Sequence, residues 1–382
     1  GDAAVFQRMV QALFDMATLT VELAIGLIGL MALWLGIVAL GEASGLIDKL
    51  GRALSPLFTR LMPEVPAGHP AISSMTLNLS ANVLGLDNAA TPLGIRAMQD
   101  LQTLNPTPDT ASNAQILFLV LNTSSVTLFP VTVLLYRAQM GAPDPAAVFI
   151  PILIATSCST FAGLLVTAWV QRLRLADTVV LMWLASAIAL LLALVGWFST
   201  LSAQQLQQQS SLISNLMILS LVMTFILAAH RKGVNVYERF IEGAKGGFNV
   251  AVELIPYLLA MLVAVGVFRA SGALDVLLDG LRWLAGGGDN RWVDAMPTAL
   301  MKPLSGSGAR AMMIETMNQH GVDSFQARLA ATLQGSTETT FYVLAVYFGA
   351  AGIRHTRHAI PCGLAADGAG ITAAIVVSHW FY

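Results

Sequence analysis

Apolar runs of about 20 residues recur along the chain, and they constrain its fold more than any other feature. Residues 178–200 contain no charged side chain at all. A run of this length crosses the hydrocarbon core of a bilayer as a helix, because backbone in lipid must satisfy its own hydrogen bonds. Only 11% of the 382 residues are charged, whereas soluble domains carry about a quarter. We therefore predict an all-α polytopic membrane protein, with crossings near 18–40, 114–138, 146–170, 178–200, 210–230, 248–268, 324–350 and 357–380.

Charge and motif content narrow the functional classes. The net charge is −2 and no basic tract is present, so a nucleic-acid partner is not expected. Cys158 and Cys362 lie far apart in apolar segments and form no zinc or redox motif, so we expect small buried hydrophobes. His355 and His358 lie in a predicted loop, so we expect no metal site. Because no catalytic motif is visible, we expect neither an enzyme nor a cofactor.

The two halves of the chain repeat one pattern. Residues 5–27 and 236–258 each pass from a charge-dotted stretch into an apolar run, with one glutamate near its start, Glu22 or Glu253. The triplet Ala-Ser-Gly follows both runs. Amphipathic stretches come next, at 44–62 and 271–286, and we expect them to lie in the membrane interface. A duplicated membrane half is the pattern of a secondary transporter.

Two stretches, 70–100 and 296–318, are too polar to face lipid and too apolar for a loop. Irregular backbone at membrane depth is tolerated only inside protein or beside a wet cavity. We therefore predict re-entrant hairpins with tips near 85–88 and 305–308. Half-helices that meet at a tip point their N–H groups at one place, which suits a carboxylate, a hydroxyl or a phosphate. The alternative is that the polar side chains at the tips only cap these half-helices. The substrate candidates at the tips are Asn78, Ser80, Asn82, Asp87, Asn88, Thr91, Ser305, Ser307 and Arg310.

Hydroxyl-rich breaks interrupt one apolar run in each half, at 122–127 and 334–340. Pro130 removes a further backbone donor after the first break. Freed carbonyls and hydroxyls could hold Na⁺, and helix–helix hydrogen bonding is the alternative. The substrate candidates here are Gln334, Thr337 and Glu338, and the coupling-ion candidates are Asn122, Thr123, Ser125, Ser336, Glu338 and Thr339.

Four acids lie within the predicted membrane segments, where an ionised carboxylate is costly and a functional role is the default hypothesis. Glu338 is the strongest, because polar residues surround it. Glu22 and Glu253 lie near crossing ends and could reach water. Asp367 could bind a proton or pair with Arg310. We include all four among the candidates for Na⁺ or H⁺ coupling.

The distribution of basic residues predicts the orientation. Basic residues cluster at 172–174 and 231–245, on either side of two crossings that are joined by the uncharged loop 201–209. The clusters are expected in the cytoplasm and the loop outside. The exceptions are Arg269, Arg282 and Arg291, which this orientation places on the outer side of the membrane. Five crossings separate the starts of the two repeats, so the repeats are predicted to be inverted. We predict a first repeat at 1–175, a linking helix pair at 176–232 and a second repeat at 233–382.

The first half resembles spore maturation protein A in residues 80–102 (SANVLGLDNAATPLGIRAMQDLQ) and 119–130 (LVLNTSSVTLFP). The second half resembles spore maturation protein B in 333–349 (LQGSTETTFYVLAVYFG) and 363–370 (GLAADGAG). Both groups carry the nucleoside-recognition, or Gate, domain, which is similar to parts of concentrative nucleoside transporters and ferrous-iron transporters. The resemblance implies an interfacial helix, a re-entrant hairpin and an interrupted helix in each half, and a helix before Gly1.

These features together predict a secondary transporter of a small polar solute, nucleoside-like or a small organic acid, in the bacterial inner membrane. Its partners would be the lipid bilayer, its substrate and, through the crossings 178–200 and 210–230, further copies of the chain. One alternative is an ion or metal permease. The other is a scaffold or regulator that uses a transporter fold without transporting.

Overall fold

The computed structural model describes residues 3–83, 87–124, 127–286 and 288–382, and this part of the chain is almost entirely helical. Its α-helices are α1 (Ala3–Ala43), α2 (Leu46–Leu61), α3 (Pro70–Val83), α4 (Asp87–Gln102), α5 (Asn113–Thr123), α6 (Val131–Gln139), α7 (Phe149–Gln171), α8 (Thr178–Ser199), α9 (Ala203–Arg231), α10 (Val236–Ala270), α11 (Ala273–Ala285), α12 (Met296–Met301), α13 (Gly306–His320), α14 (Phe325–Ser336), α15 (Thr340–Ala350) and α16 (Ala359–Phe381). The predicted all-α class is confirmed.

Several helices can cross a membrane. Within the described residues, α1, α7, α8, α9 and α16 are long and apolar enough, and the bent pair α10–α11 adds a sixth span if it is counted as one. Only 6% of the most apolar part of α8 is buried in protein, against 61% of that of α7. An apolar helix that is exposed along its whole length is stable only in lipid or against a partner. The chain is therefore a membrane protein.

The chain packs as two compact units, each assembled from separate stretches. Unit 1 comprises Gly1–Ser44, Val131–Val148 and Ser220–Gln334, and unit 2 comprises Gly45–Pro130, Phe149–Leu219 and Gly335–Tyr382. Unit 1 thus contains α1, α6, α10 to α13 and most of α14, while unit 2 contains α2 to α5, α7, α8, α15 and α16. Each unit takes segments from both predicted repeats. The predicted repeats are continuous stretches of sequence, whereas the compact units are defined by packing. The predicted repeat boundaries therefore stay a prediction.

In unit 1, the long helices α1 and α10 pack along each other in opposite directions. Met16 lies against Gly266, and Ala32 lies against Gly247. Contact residues with higher numbers in α1 therefore meet residues with lower numbers in α10, so the two helices are antiparallel. A Cβ at Gly247 would overlap the backbone of Ala32. Glycine therefore sets how closely these two helices approach, as small residues do in membrane bundles.

In unit 2, α7 and α16 form a second antiparallel pair. Gln171 hydrogen-bonds His358, which precedes α16, at 3.0 Å. Ser159, near the middle of α7, donates to the carbonyl of Ala366 at 2.9 Å and would also contact a Cβ at Gly370. Small residues at the contact let the two helices approach closely. Polar side chains such as that of Ser159 can therefore hydrogen-bond to the facing helix.

The predicted interruptions are present as gaps between helices. The first lies between α5 and α6 and the second between α14 and α15. The boundary between the two compact units falls at the end of the first gap, after Pro130, and two residues before the end of α14 at the second, after Gln334. In unit 2, α5 and α15 are antiparallel. Phe118 stacks on Tyr347 at 5.9 Å between ring centroids, and the Thr123 carbonyl accepts from the Glu338 N–H at 2.8 Å.

The repeated Ala-Ser-Gly triplets make the same turn in both halves. Gly45 precedes α2 with φ 72°, and Gly272 precedes α11 with φ 80°. Both values lie in the left-handed region that glycine adopts without steric cost. The turn bends α11 by 71° from the end of α10. Both helices have one polar and one apolar face, as the interfacial prediction requires, and their place in the membrane stays a prediction.

The two predicted hairpins are helix pairs. α3 packs against α4 in unit 2, and α12 packs against α13 in unit 1. Residues 85 and 86 of the predicted tip at 85–88 lie outside the described residues, and α4 begins at Asp87. Ser305 precedes α13 as its N-cap, and its hydroxyl accepts from the Gly308 N–H at 3.0 Å. The re-entrant character of both pairs stays a prediction.

Candidate functional site

Four side chains in unit 2, three of them buried and one half-buried, are here called the amide cluster and join α3, α5 and α15. Asn122 Oδ1 accepts from Asn82 Nδ2 at 2.9 Å and from the Tyr347 hydroxyl at 3.3 Å. Asn78 Nδ2 donates to Tyr347 Oη at 3.3 Å and to the Ala90 carbonyl at 2.7 Å. The cluster thus consists of Asn78, Asn82, Asn122 and Tyr347. It connects the first hairpin to both interrupted helices.

One acceptor of the amide cluster has no partner. Asn78 is fully buried, and no hydrogen-bond partner for its Oδ1 exists among the described residues. A buried polar atom without a partner costs about 1–3 kcal/mol. Such a cost in a cluster of polar groups is typical of a site that a ligand or water completes.

Several backbone groups at the breaks have hydrogen-bond partners within unit 2. Besides the bond between Thr123 and Glu338, the Ser124 carbonyl accepts from the Thr160 hydroxyl. Thr123 and Ser124 also turn their own hydroxyls back to the Val120 carbonyl. These carbonyls would have to exchange partners before they could coordinate Na⁺. In this arrangement, the polar groups of the first break make hydrogen bonds within and between helices, which was the alternative to Na⁺ coordination.

Two acids lie beside the breaks in unit 2. Asp367 is 2% exposed, and its Oδ2 accepts from the Thr340 hydroxyl at 2.7 Å. Glu338 is half-buried, and no described residue hydrogen-bonds its carboxylate. Because Glu338 is bonded through its N–H to Thr123, its side chain starts next to the amide cluster. Of the four predicted membrane acids, Glu338 is the best placed to meet a solute there.

The second hairpin contributes separate polar groups to unit 1. The Ser305 hydroxyl caps α13 and also hydrogen-bonds the Ser307 hydroxyl at 3.2 Å. The Arg310 guanidinium lies 5.4 Å from the Tyr136 ring centre, a cation–π contact. Gln334 is buried, and its Oε1 has no partner among the described residues.

The remaining candidates differ in environment. Ser80 is buried and donates to the Thr76 carbonyl at 2.6 Å, as hydroxyls within helices often do. Glu22 is exposed on α1, and Thr91 is half-buried on α4. The buried candidates at the second break are Ser336, Thr337 and Thr339. Ser125 and the side chains of Asp87, Asn88 and Glu253 lie outside what the structure describes.

Tyr347 is the member of the amide cluster that the sequence reasoning missed. It lies seven residues after Thr340, which places the two on one face of α15. That spacing was a usable signal, because Thr340 closes the polar break. An added Cβ at Gly94 would overlap the Tyr347 hydroxyl, so Gly94 on α4 makes the space for this group.

Comparison with known proteins places the chain in a family. The sequence profile described as nucleoside recognition, named Gate, matches residues 24–139 and 251–354, more than half of the chain. The chain belongs to the nucleoside-recognition (Gate) family. All members of the amide cluster lie within the matched ranges of this Gate protein. No solved structure matches it.

Two proteins of Bacillus subtilis (strain 168) are similar to the Gate chain. Spore maturation protein B is 44% identical over 165 residues, which are 43% of the chain and 92% of that protein. Spore maturation protein A is 37% identical over 160 residues, which are 42% of the chain and 82% of that protein. The resemblance to both spore maturation proteins is thereby confirmed. Each relative is covered almost completely by less than half of this chain.

Proposed function

We propose that this Gate-family protein is a secondary transporter of a small polar solute across the bacterial inner membrane. The observation that carries the proposal is the amide cluster, because it places buried donors and acceptors where two helices are interrupted. Transporters bind substrate near the membrane midplane at such discontinuous helices. The protein's membership of a family described as nucleoside recognition supports the same class of solute.

The packing supports an inverted-repeat architecture for this transporter. α1 and α10 occupy corresponding places in the two halves, as do α7 and α16. Each pair is antiparallel within its unit. Corresponding elements that pack against each other in opposite directions are what an inversion of one half predicts. Re-entrant hairpins and a shared site near the midplane belong to the same proposal.

The charges favour a neutral, nucleoside-like solute over a small organic acid. Glu338 and Asp367 lie beside the breaks in unit 2, and their negative charge would repel an anion. The Asn82 amide has a donor and an acceptor, and Asn78 Oδ1 is an acceptor without a described partner. Such groups match base edges and sugar hydroxyls. The groups of the second hairpin, Ser305, Ser307 and Arg310 among them, stay candidate substrate contacts.

Glu338 is the proposed coupling residue for Na⁺ or H⁺, and the test is uptake by the purified protein in liposomes. Nucleosides, nucleobases and dicarboxylates would be offered with and without Na⁺ and pH gradients. Glu338→Gln should abolish gradient-driven uptake and retain the wild-type melting temperature. Glu238→Gln, at an exposed position outside the candidate residues, is the matched control and should transport normally. Full driven uptake by Glu338→Gln would remove the residue from the mechanism.

A scaffold on a transporter fold is the second candidate, and one observation favours it. Several described backbone and side-chain groups at the first break already have partners, as a purely structural cluster requires. In that case, Asn122→Ala would lower the melting temperature, and no solute in the panel would be taken up or stabilise the protein. A metal permease has less support, since no group of three or more His, Cys, Asp and Glu in the described ranges could hold a metal ion.

A further inference from the structure

Unit 1 contains a polar cavity of about 550 Å³ that is separate from the amide cluster. It lies between the first turns of α1, the end of α10 and the end of α13. Its volume falls within the range of small-molecule sites. Its charged and amide lining comprises Arg8, Gln11, Asp15, Arg269, Asp275, Glu315 and Gln319, and Gln11 Nε2 donates to Asp15 Oδ1 at 2.8 Å.

Glu315 is the buried member of this lining, at 4% exposure. Its Oε1 accepts from Arg269 at 3.1 Å and from Gln319 at 3.0 Å. Its Oε2 is also buried, and no described residue donates to it. A carboxylate oxygen can accept two hydrogen bonds, so half of this carboxylate is unused. Removing it from water without a donor is costly, and a ligand donor would offset that cost.

Glu315 lies at the junction of two cavities. A second cavity of about 180 Å³ shares the residues Arg269, Asp275 and Glu315 with the first. The second cavity is also lined by Asp294 and His320. The carboxylate therefore borders open space on two sides. A ligand that enters the larger cavity reaches Glu315 at its inner end.

The charge of the lining selects the ligand. The larger cavity carries three carboxylates, on Asp15, Asp275 and Glu315, against the two guanidinium groups of Arg8 and Arg269. The surplus of one negative charge favours a cation. A bare metal ion would leave most of 550 Å³ unfilled. An organic ammonium group supplies both the positive charge and the N–H donors that Oε2 lacks.

We propose that this cavity binds a small organic cation through an ammonium group that donates to Glu315 Oε2. Asp275 and Asp15 are exposed at the rim and attract the cation, while Arg269 and Gln319 hold the Glu315 carboxylate in place through its other oxygen. The cavity shares no lining residue with the amide cluster or with the substrate candidates of the second hairpin.

The test measures ligand binding to the purified protein in detergent. Binding is detected by isothermal titration calorimetry and by the change in melting temperature. Putrescine is the cationic probe, inositol the neutral one and succinate the anionic one. Putrescine should bind saturably and raise the melting temperature, and the other two should not. Glu315→Gln should weaken putrescine binding about tenfold to a hundredfold, because a charge-assisted bond is lost. Glu238→Gln, at an exposed position of α10, should bind as the wild type does.

A second variant keeps the test decisive if Glu315→Gln fails to fold. Asp275→Asn changes an exposed rim residue and should weaken putrescine binding by a smaller factor. The proposal is overturned if putrescine does not bind, if inositol or succinate binds equally well, or if both variants bind like the wild type. Asn122→Ala should keep putrescine binding whether or not it transports, so failure here and failure of the transport proposal are distinguishable.

Discussion

Replacing Tyr347 with phenylalanine tests whether the amide cluster contributes to stability as its hydrogen bonds indicate. The substitution removes one hydroxyl and keeps the ring, which stacks on Phe118 with an interplanar angle of 10°. Two bonds of 3.3 Å are lost, one to Asn78 and one to Asn122. Asn78 keeps its bond to a backbone carbonyl, and Asn122 keeps its bond to Asn82.

The magnitude follows from those two bonds. A neutral hydrogen bond contributes about 0.5–1.5 kcal/mol net, and bonds of this length belong to the lower half of that range. No neighbouring group loses every partner, so no full desolvation penalty is added. The expected loss of unfolding free energy for Tyr347→Phe is therefore about 1–2 kcal/mol.

The assay is reversible unfolding in mixed micelles, with Tyr342→Phe as the matched control on the same helix. Tyr342 is 56% exposed, so its variant should unfold like the wild type. Equal stability of the two variants would refute the role of the cluster as a stabilising network. A loss above about 4 kcal/mol would contradict the bond-by-bond reasoning, since it exceeds what two neutral hydrogen bonds supply.

Three further predictions concern other parts of the fold. Gly247→Leu should cost about 1–3 kcal/mol or prevent insertion by separating α1 from α10, whereas Gly246→Leu beside it meets only ordinary contacts and should be tolerated in the same unfolding assay. Thr340→Val removes a donor from buried Asp367 and should cost about 1–3 kcal/mol of unfolding free energy; an unchanged unfolding midpoint would contradict this. Burial and a neighbouring arginine lower the pKa of His358, so the melting temperature should fall as pH drops below about 6.5, and His358→Gln should reduce that fall.

Prediction from sequence succeeded where one local signal was strong. The charge-free run at 178–200 predicts α8 because only a helix satisfies its backbone in lipid. The breaks were predicted from clustered hydroxyls and Pro130, and the helices end there. The partners across the breaks were not predictable, because Asn82 and Asn122 are 40 residues apart and nothing local relates them. Glu315 was missed for the same reason, since neither cavity can be seen in a linear sequence.

The sequence by itself determined the helical class, the membrane environment, the interrupted segments and the family, since each depends on local composition or on a repeated order of residues. Only the tertiary structure decided which polar groups meet. It joined Asn122 to Tyr347 across 225 residues and left one oxygen each of Asn78 and Glu315 without a described partner. The physical reason is that hydrogen bonds and cavities depend on distances of a few ångströms between helices, and those distances are set by packing.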